Sequence, residues 1–202
     1  MSVDPSVPPP VGSSSALARV RVVEHDPTWL RLAAEHATEV RRTLAAQSAF
    51  AGAIVHHVGS TAVPGLAAKP VIDLLLAVPG HDALRALDRK DSRRALAGLG
   101  YRAHGEHGIV ERRFFTRADP ASGDHTHHLH AFVDGSDGAV RHLVFRDYLR
   151  AHPAVATTYG VLKQSLAASC EDDIEAYKDG KHAFIREHEA RALEWDRLVR
   201  GD

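Results

Sequence analysis

The sequence predicts an α+β fold, a mixed β-sheet with flanking helices and a C-terminal helical block. Three observations carry that expectation. Ala53–Val58 and Val71–Val78 are apolar, largely β-branched runs bounded by Gly and Pro, the pattern of strands buried on both faces and lying side by side. Ile109–Thr116 and Thr126–Val133 flank Asp119-Pro-Ala-Ser-Gly-Asp124 and read as a long hairpin. The final third of the chain has apolar residues at helical spacing instead.

Taken in order, residues 1–16 hold Pro5, Pro8, Pro9, Pro10 and Ser13-Ser-Ser15 with few apolar side chains, so a disordered tail is expected there. A single domain is expected over residues 17–202, with a strand-rich core to about residue 135 and a helical block over about 137–199. Arg19–Val23 alternates well enough for a short strand. Asp26 before Pro27 fits an N-cap with Pro at the first helical position, opening a helix to about Gln47 whose buried stripe is Trp29, Leu32, Ala33, Val40 and Leu44. A helix over about Asp82–Leu99 is interrupted by the charged run Asp88–Arg94, which breaks the apolar spacing. Three helices follow, over about Ala139–Ala151, Ala154–Ala168 and Asp172–Leu198, the first stopped by Pro153. Val155, Tyr159, Leu162 and Leu166 share the buried face of the second. No internal repeat is visible.

Composition narrows the function classes. Twenty-five basic and 26 acidic residues give a net charge of −1, which argues against a polyanionic nucleic acid as the main partner. A single cysteine, Cys170, excludes an intrachain disulfide framework and suits a reducing compartment. No segment reaches the roughly 20 apolar residues that span a bilayer, and no basic-then-apolar leader opens the chain. A cytoplasmic protein with no membrane partner is therefore expected. Fifteen histidines are the outlier and raise the expectation of metal or pH sensitivity.

The most informative stretch is His57-Val-Gly-Ser-Thr-Ala-Val-Pro-Gly-Leu-Ala-Ala-Lys-Pro-Val-Ile-Asp73. Gly59, Ser60 and Gly65 let backbone approach a ligand, and the loop N–H groups with Lys69 can receive a phosphate or carboxylate. Asp73 rises from that loop on a strand, placed to hold a metal against the same ligand. The stretch resembles the signature of the GrpB family, a branch of the nucleotidyltransferase superfamily. Val22-Val-Glu-His-Asp-Pro-Thr-Trp29, Thr126-His-His-Leu-His130 and Phe145-Arg-Asp-Tyr-Leu-Arg-Ala-His-Pro153 extend the likeness over residues 20–188. The resemblance implies a nucleotidyltransferase-like fold, a small anionic or nucleotide substrate such as a nucleoside triphosphate, and a divalent metal.

Metal-dependent nucleotidyl transfer in that superfamily pairs two carboxylates at i and i+2 on one strand, with a third opposite. Here the neighbours of Asp73 at that spacing are Val71 and Leu75, so the pair is missing. His128 and His130 do stand at i and i+2 on their strand. With Asp73 they form a two-histidine, one-carboxylate set that favours Zn²⁺, Mn²⁺, Fe²⁺ or Ni²⁺ over Mg²⁺. The competing readings are packed or hydrogen-bonding imidazoles, or imidazoles that move protons. His57 is a candidate base or a core histidine, and His125 and His127 are expected to be exposed.

Further substrate contacts are expected from Arg112 or Arg113, which alternate faces on their strand, and from two i,i+4 pairs, Tyr159 with Lys163 and Tyr177 with Lys181. Those pairs either clamp an anion or are amphipathic residues covering core. Arg146 reads as a structural ion-pair partner. Three functions follow: a metal- or histidine-assisted enzyme, a divergent member that cyclises, ligates or rearranges a small metabolite, and a non-catalytic nucleotide or metabolite binder. RNA binding fits the charge least well, and the sequence leaves the oligomeric state open.

Overall fold

The computed structural model describes residues 20–170 and 173–201. The expected tail over 1–16 and the first residues of the expected last helix lie outside them. In chain order the elements are α1 (Thr28–Leu44), β1 (Ile54–Val58), β2 (Ile72–Val78), α2 (His81–Ala86), α3 (Lys90–Gly98), β3 (Tyr101–Ala103), β4 (Arg113–Ala118), β5 (His125–Val133), α4 (Asp137–Ala151), α5 (Pro153–Cys170) and α6 (Ile174–Arg200). The strands form one sheet in the order β1-β2-β5-β4-β3. Only the central β2–β5 pair is parallel; β1–β2, β5–β4 and β4–β3 are antiparallel. This is the mixed sheet with flanking helices that the apolar runs predict.

One face of the sheet packs under α1, α2 and α3, with Leu74, Leu76, Leu129 and Phe115 meeting Val40, Leu44, Leu84, Leu87 and Leu96. The other face is split. Val58, Leu75 and Phe132 close against Ala139 of α4, and Asp73, His128 and His130 stand beside them on the same face. A second apolar cluster joins α4, α5 and α6 through Val144, Tyr148, Leu149, Ala156, Tyr159 and Ala192, and it takes in Val63 and Leu66 from the loop before β2. Those two side chains anchor the loop to the helical block.

Several expectations are corrected. Leu32 is 39% exposed, because the buried stripe of α1 runs Trp29, Ala33, His36, Val40, Leu44 and leaves Leu32 on its flank. Among the described residues of the expected first strand only Val23 pairs, in a single bridge with Ala68. β1 is an edge strand and only partly buried, whereas β2 is buried on both faces. The interruption of the 82–99 helix narrows to Leu87–Arg89, since Arg89 is extended while Leu87 stays fully buried, and most of the charged run is the exposed side of α3. β4 begins only at Arg113, because His107 and Glu111 adopt positive φ and the backbone turns there. The short β3 was not anticipated. Pro153 stops α4 and opens α5, a position where its missing N–H costs no helical hydrogen bond.

Candidate functional site

Strand register builds the centre of the site. Asp73 is the Cα partner of Val58 on β1 and of His128 on β5, and Leu75 is the partner of His130. Because side chains alternate faces, Asp73, His128 and His130 project to one side. His128 Nδ1 lies 3.0 Å from Asp73 Oδ1 and His130 Nε2 lies 3.7 Å from the same oxygen. Burial alone would raise the Asp73 carboxyl, but hydrogen bonds and charge from the two imidazoles outweigh it and hold the group below the usual carboxylate range. Burial lowers the His130 imidazole, with Asp73 opposing. His130 Nδ1 is buried with no hydrogen-bond partner among the described residues.

The loop wraps this centre. Gly59 has φ 70° and lies so close to Asp73 that a Cβ there would overlap the carboxylate, so this position requires glycine. Ser60 follows, opening a one-turn 3₁₀ segment, and its Oγ accepts a hydrogen bond from Lys163 Nζ at 2.8 Å. Lys163 is 2% exposed and lies 4.5 Å over the Tyr159 ring. Lys181 lies 4.5 Å over the ring of Tyr177, and Lys69 approaches that ring at 6.0 Å. Burial pushes the Lys163 ammonium down to about 7, helped by Lys181, and the Lys181 ammonium down to about 8, helped by Lys69. Lys69 is lowered by burial as well. The charge of Asp73 opposes the lowering at all three lysines; Lys69 and Lys181 share the Tyr177 ring, and Lys163 reaches the serine that follows Gly59, the residue packed on Asp73.

Two candidates fall elsewhere. His57 pairs in register with Leu74 on the face under α1, bonds Thr61 Oγ1 at 2.9 Å through Nε2, and is pushed down to about 4 by burial. It is a packed histidine on the far face from Asp73, because odd and even positions of β1 face opposite ways. Arg113 pairs with Asp88 at 2.6 Å and shares the face of Ala131, which belongs to the helix-covered core. Arg112 precedes β4, bonds the carbonyls of Glu106 and His107, and stacks 4.8 Å over Phe114. Arg146 chelates Asp147 and donates to the carbonyl of His57.

Other residues enter that strand periodicity alone did not mark. His125 Nδ1 is 3.2 Å from His128 Nε2. Phe114 is the register partner of His130 and sits 5.0 Å from its ring, while His142 of α4 covers the other side at 5.1 Å. His127, expected to be exposed, is half-buried, with its ring tilted against that of His36 at 4.2 Å. The Phe114 contact was open to anyone who paired the predicted hairpin strands; the His142 contact depends on helix packing.

The donor set decides what metal chemistry fits. Ligand atoms of Asp73, His128 and His130 lie within 4.8 Å of one another, the one such group among the described residues. Leu75 is fully buried against Val58, Phe132 and Ala139, and β4 offers Phe114 and Thr116 opposite the histidines. A paired-carboxylate, two-Mg²⁺ arrangement therefore does not fit, whereas a single ion that accepts imidazole nitrogen does, and His130 has a buried ring nitrogen, Nδ1, with no partner among the described residues.

A five-stranded mixed sheet with a glycine-serine loop feeding a strand aspartate, backed by a helical block, defines an α+β protein of the nucleotidyltransferase-like fold class. The GrpB protein family matches residues 19–191, and the chain belongs to that family. A UPF0157 protein of Pseudomonas aeruginosa is 40% identical over 193 residues, 91% of this chain and 75% of that protein. The UPF0157 protein YqkA of Bacillus subtilis is 42% identical over 141 residues, 70% of this chain but only 39% of the relative. The crystal structure of the conserved protein GrpB from Enterococcus faecalis superposes with a TM-score of 0.74 at 38% identity, covering 86% of this chain and 98% of that one. The GLD-2/RNP-8 complex shares the fold at a TM-score of 0.50 and 15% identity, over 70% of this chain and 54% of that one. No helix among the described residues is long and apolar enough to cross a membrane.

Proposed function

We propose that this chain binds a small phosphorylated anion, a nucleoside triphosphate in the first instance, between the Gly59–Lys69 loop and helices α5 and α6, and acts on it at Asp73. One observation carries the reading: Lys69 and Lys181 meet at the Tyr177 ring and the buried Lys163 bonds Ser60 of the loop that packs on Asp73, so three lysines, each lowered by burial, border that loop. Desolvated cations in one another's field destabilise the empty site, and a polyanion relieves that cost. Ser60 and the loop backbone orient the anion, Tyr159 and Tyr177 shape the wall beneath the ammonium groups, and Arg112 borders the site beyond Phe114. Nucleic acid is not the expected partner.

Asp73, His128 and His130 would hold a divalent ion there, Zn²⁺, Mn²⁺, Fe²⁺ or Ni²⁺ in preference to Mg²⁺. Such an ion supplies Lewis acidity toward a phosphoryl or carbonyl oxygen. Without it, the His128–Asp73 contact still orients an imidazole that can accept and return a proton. The buried Leu75 favours a second reading, in which the fold cyclises, ligates or rearranges a small metabolite without nucleotide transfer.

Turnover of labelled nucleoside triphosphates by wild type and Asp73→Asn tests the first reading, with a loss of about 10²-fold or more expected in the variant. Equal product from both removes Asp73 from the reaction. Thermal unfolding tests the ion. At about 100 times its dissociation constant, Zn²⁺ or Mn²⁺ should stabilise wild type by about 2.7 kcal/mol and leave His128→Ala and His130→Ala unmoved.

A further inference from the structure

Ser60 and Lys163 do more than receive an anion. We infer that Ser60 is a nucleophile activated by Lys163, forming a covalent phosphodiester with the nucleotidyl group of the substrate; the substrate class rests on the nucleotide reading above. The pairing is built by the tertiary fold, since 103 residues separate a loop serine from a lysine in the middle of α5, and the two polar atoms meet at 2.8 Å. The amine is 2% exposed, while Ser60 is half-exposed, so the hydroxyl stands between a desolvated base and the cleft. Among the described residues no carboxylate lies within ion-pair distance of Lys163 Nζ, whose neighbours are the Tyr159 ring and another cation, Lys181. Asp73 is the one charge that favours the ammonium, and burial with Lys181 outweighs it. With burial pushing it to about 7, about half is free amine at neutral pH, able to accept the serine proton.

The chemistry closes in two steps. Ser60 Oγ attacks the α-phosphorus, an O–P bond forms, the bond to the bridging oxygen breaks and pyrophosphate leaves, while the hydroxyl proton passes to the Lys163 amine. An acceptor hydroxyl then attacks the same phosphorus and gives its proton to solvent water, the Ser60 O–P bond breaks, and the Lys163 ammonium returns its proton to Ser60 Oγ. Lys69 and Lys181 offset charge on the phosphoryl oxygens in both steps. An internal nucleophile with its own base also suits a strand that carries Leu75 where paired-carboxylate enzymes hold a second metal ligand.

The test is diisopropyl fluorophosphate, which reports an activated serine without any nucleotide, followed by peptide mass spectrometry on wild type, Ser60→Ala, Lys163→Met and Lys163→Arg, each first checked for a cooperative thermal melt. The expected result is an adduct at Ser60 whose rate of formation rises as pH passes about 7, falls about 10²-fold in Lys163→Met and is slowed by ATP. If Lys163→Met does not fold, Lys163→Arg, which keeps a cation but cannot take the proton, should show the same loss. No adduct at Ser60, or an undiminished rate in a folded Lys163 variant, overturns the inference. ATP binding without labelling sinks the nucleophile and leaves the nucleotide reading standing. Labelling that ATP does not slow overturns the nucleotide as its substrate.

Discussion

Lys163, pushed to about 7, and Lys181, pushed to about 8, set how the empty molecule responds to pH. Both groups return toward 10.5 in the unfolded chain, so above about pH 7 the unfolded state binds more protons and stability rises with pH. Below that value both states hold the Lys163 proton and its destabilisation is present in full. The urea midpoint of the ligand-free protein is therefore expected to climb from pH 7 to pH 9, and Lys163→Met to be more stable at pH 7 with a flatter profile. An anion bound among the lysines should raise both groups, so binding near pH 8 takes up protons, seen by calorimetry in buffers of different ionisation heat; no uptake would separate the lysines from the anion. Gly59→Ala should cost about 1–3 kcal/mol in backbone strain and also displace the Asp73 carboxylate, with metal and nucleotide binding lost together. At this scale the pattern made much legible: period two put His128 and His130 on one face, and i,i+4 spacing joined Tyr159 to Lys163. It could not choose between Arg112 and Arg113, because the two alternate faces along the expected strand, and that strand begins at Arg113, four residues later than Ile109.

Elements are held by close approaches that a glycine either requires or merely permits. A Cβ at Gly138, in the first turn of α4, would enter the Phe132 ring, and one at Gly180 of α6 would enter Leu166 of α5. A Cβ at Gly160 of α5 would meet Leu66 and Ala67 at ordinary van der Waals distances, the nearest 3.5 Å. Gly138→Ala is thus expected to destabilise by about 1–3 kcal/mol through overpacking, while Gly160→Ala is neutral or gains about 0.5–1 kcal/mol of helix propensity. Equal effects in denaturant melts would contradict this account of how α4 and α5 seat. Element types were largely readable from period and punctuation, including both strands around the loop and the Pro153 boundary. The misses have local causes. β3 is only three residues long, and the positive φ of His107 and Glu111 falls on residues without a glycine's signature.

For the whole molecule, side chains from the helical block reach back into the sheet. Arg146 donates to the His57 carbonyl, Arg150 to the Ala62 carbonyl and Lys163 to Ser60, while Val63 and Leu66 enter the helical cluster. Sheet and helices are therefore expected to unfold together. Trp29 lies in α1 on the sheet side and Trp195 in α6, so Trp29→Phe and Trp195→Phe give single-tryptophan reporters of each half. Their denaturation curves should coincide, and separated midpoints would mean two units.

The sequence by itself determined the α+β class, the family, the loop that approaches a strand aspartate, and the identity of the three residues that meet there, because these depend on short-range periodicity and on residues with special backbone freedom. Tertiary structure alone decided that His57 packs on the far face, that Arg113 pairs with Asp88, and that Lys163 ends beside Ser60. Those outcomes depend on strand register and on where helices far along the chain come to rest. Local spacing carries no information about such distances, whereas burial of apolar surface across the whole fold fixes them.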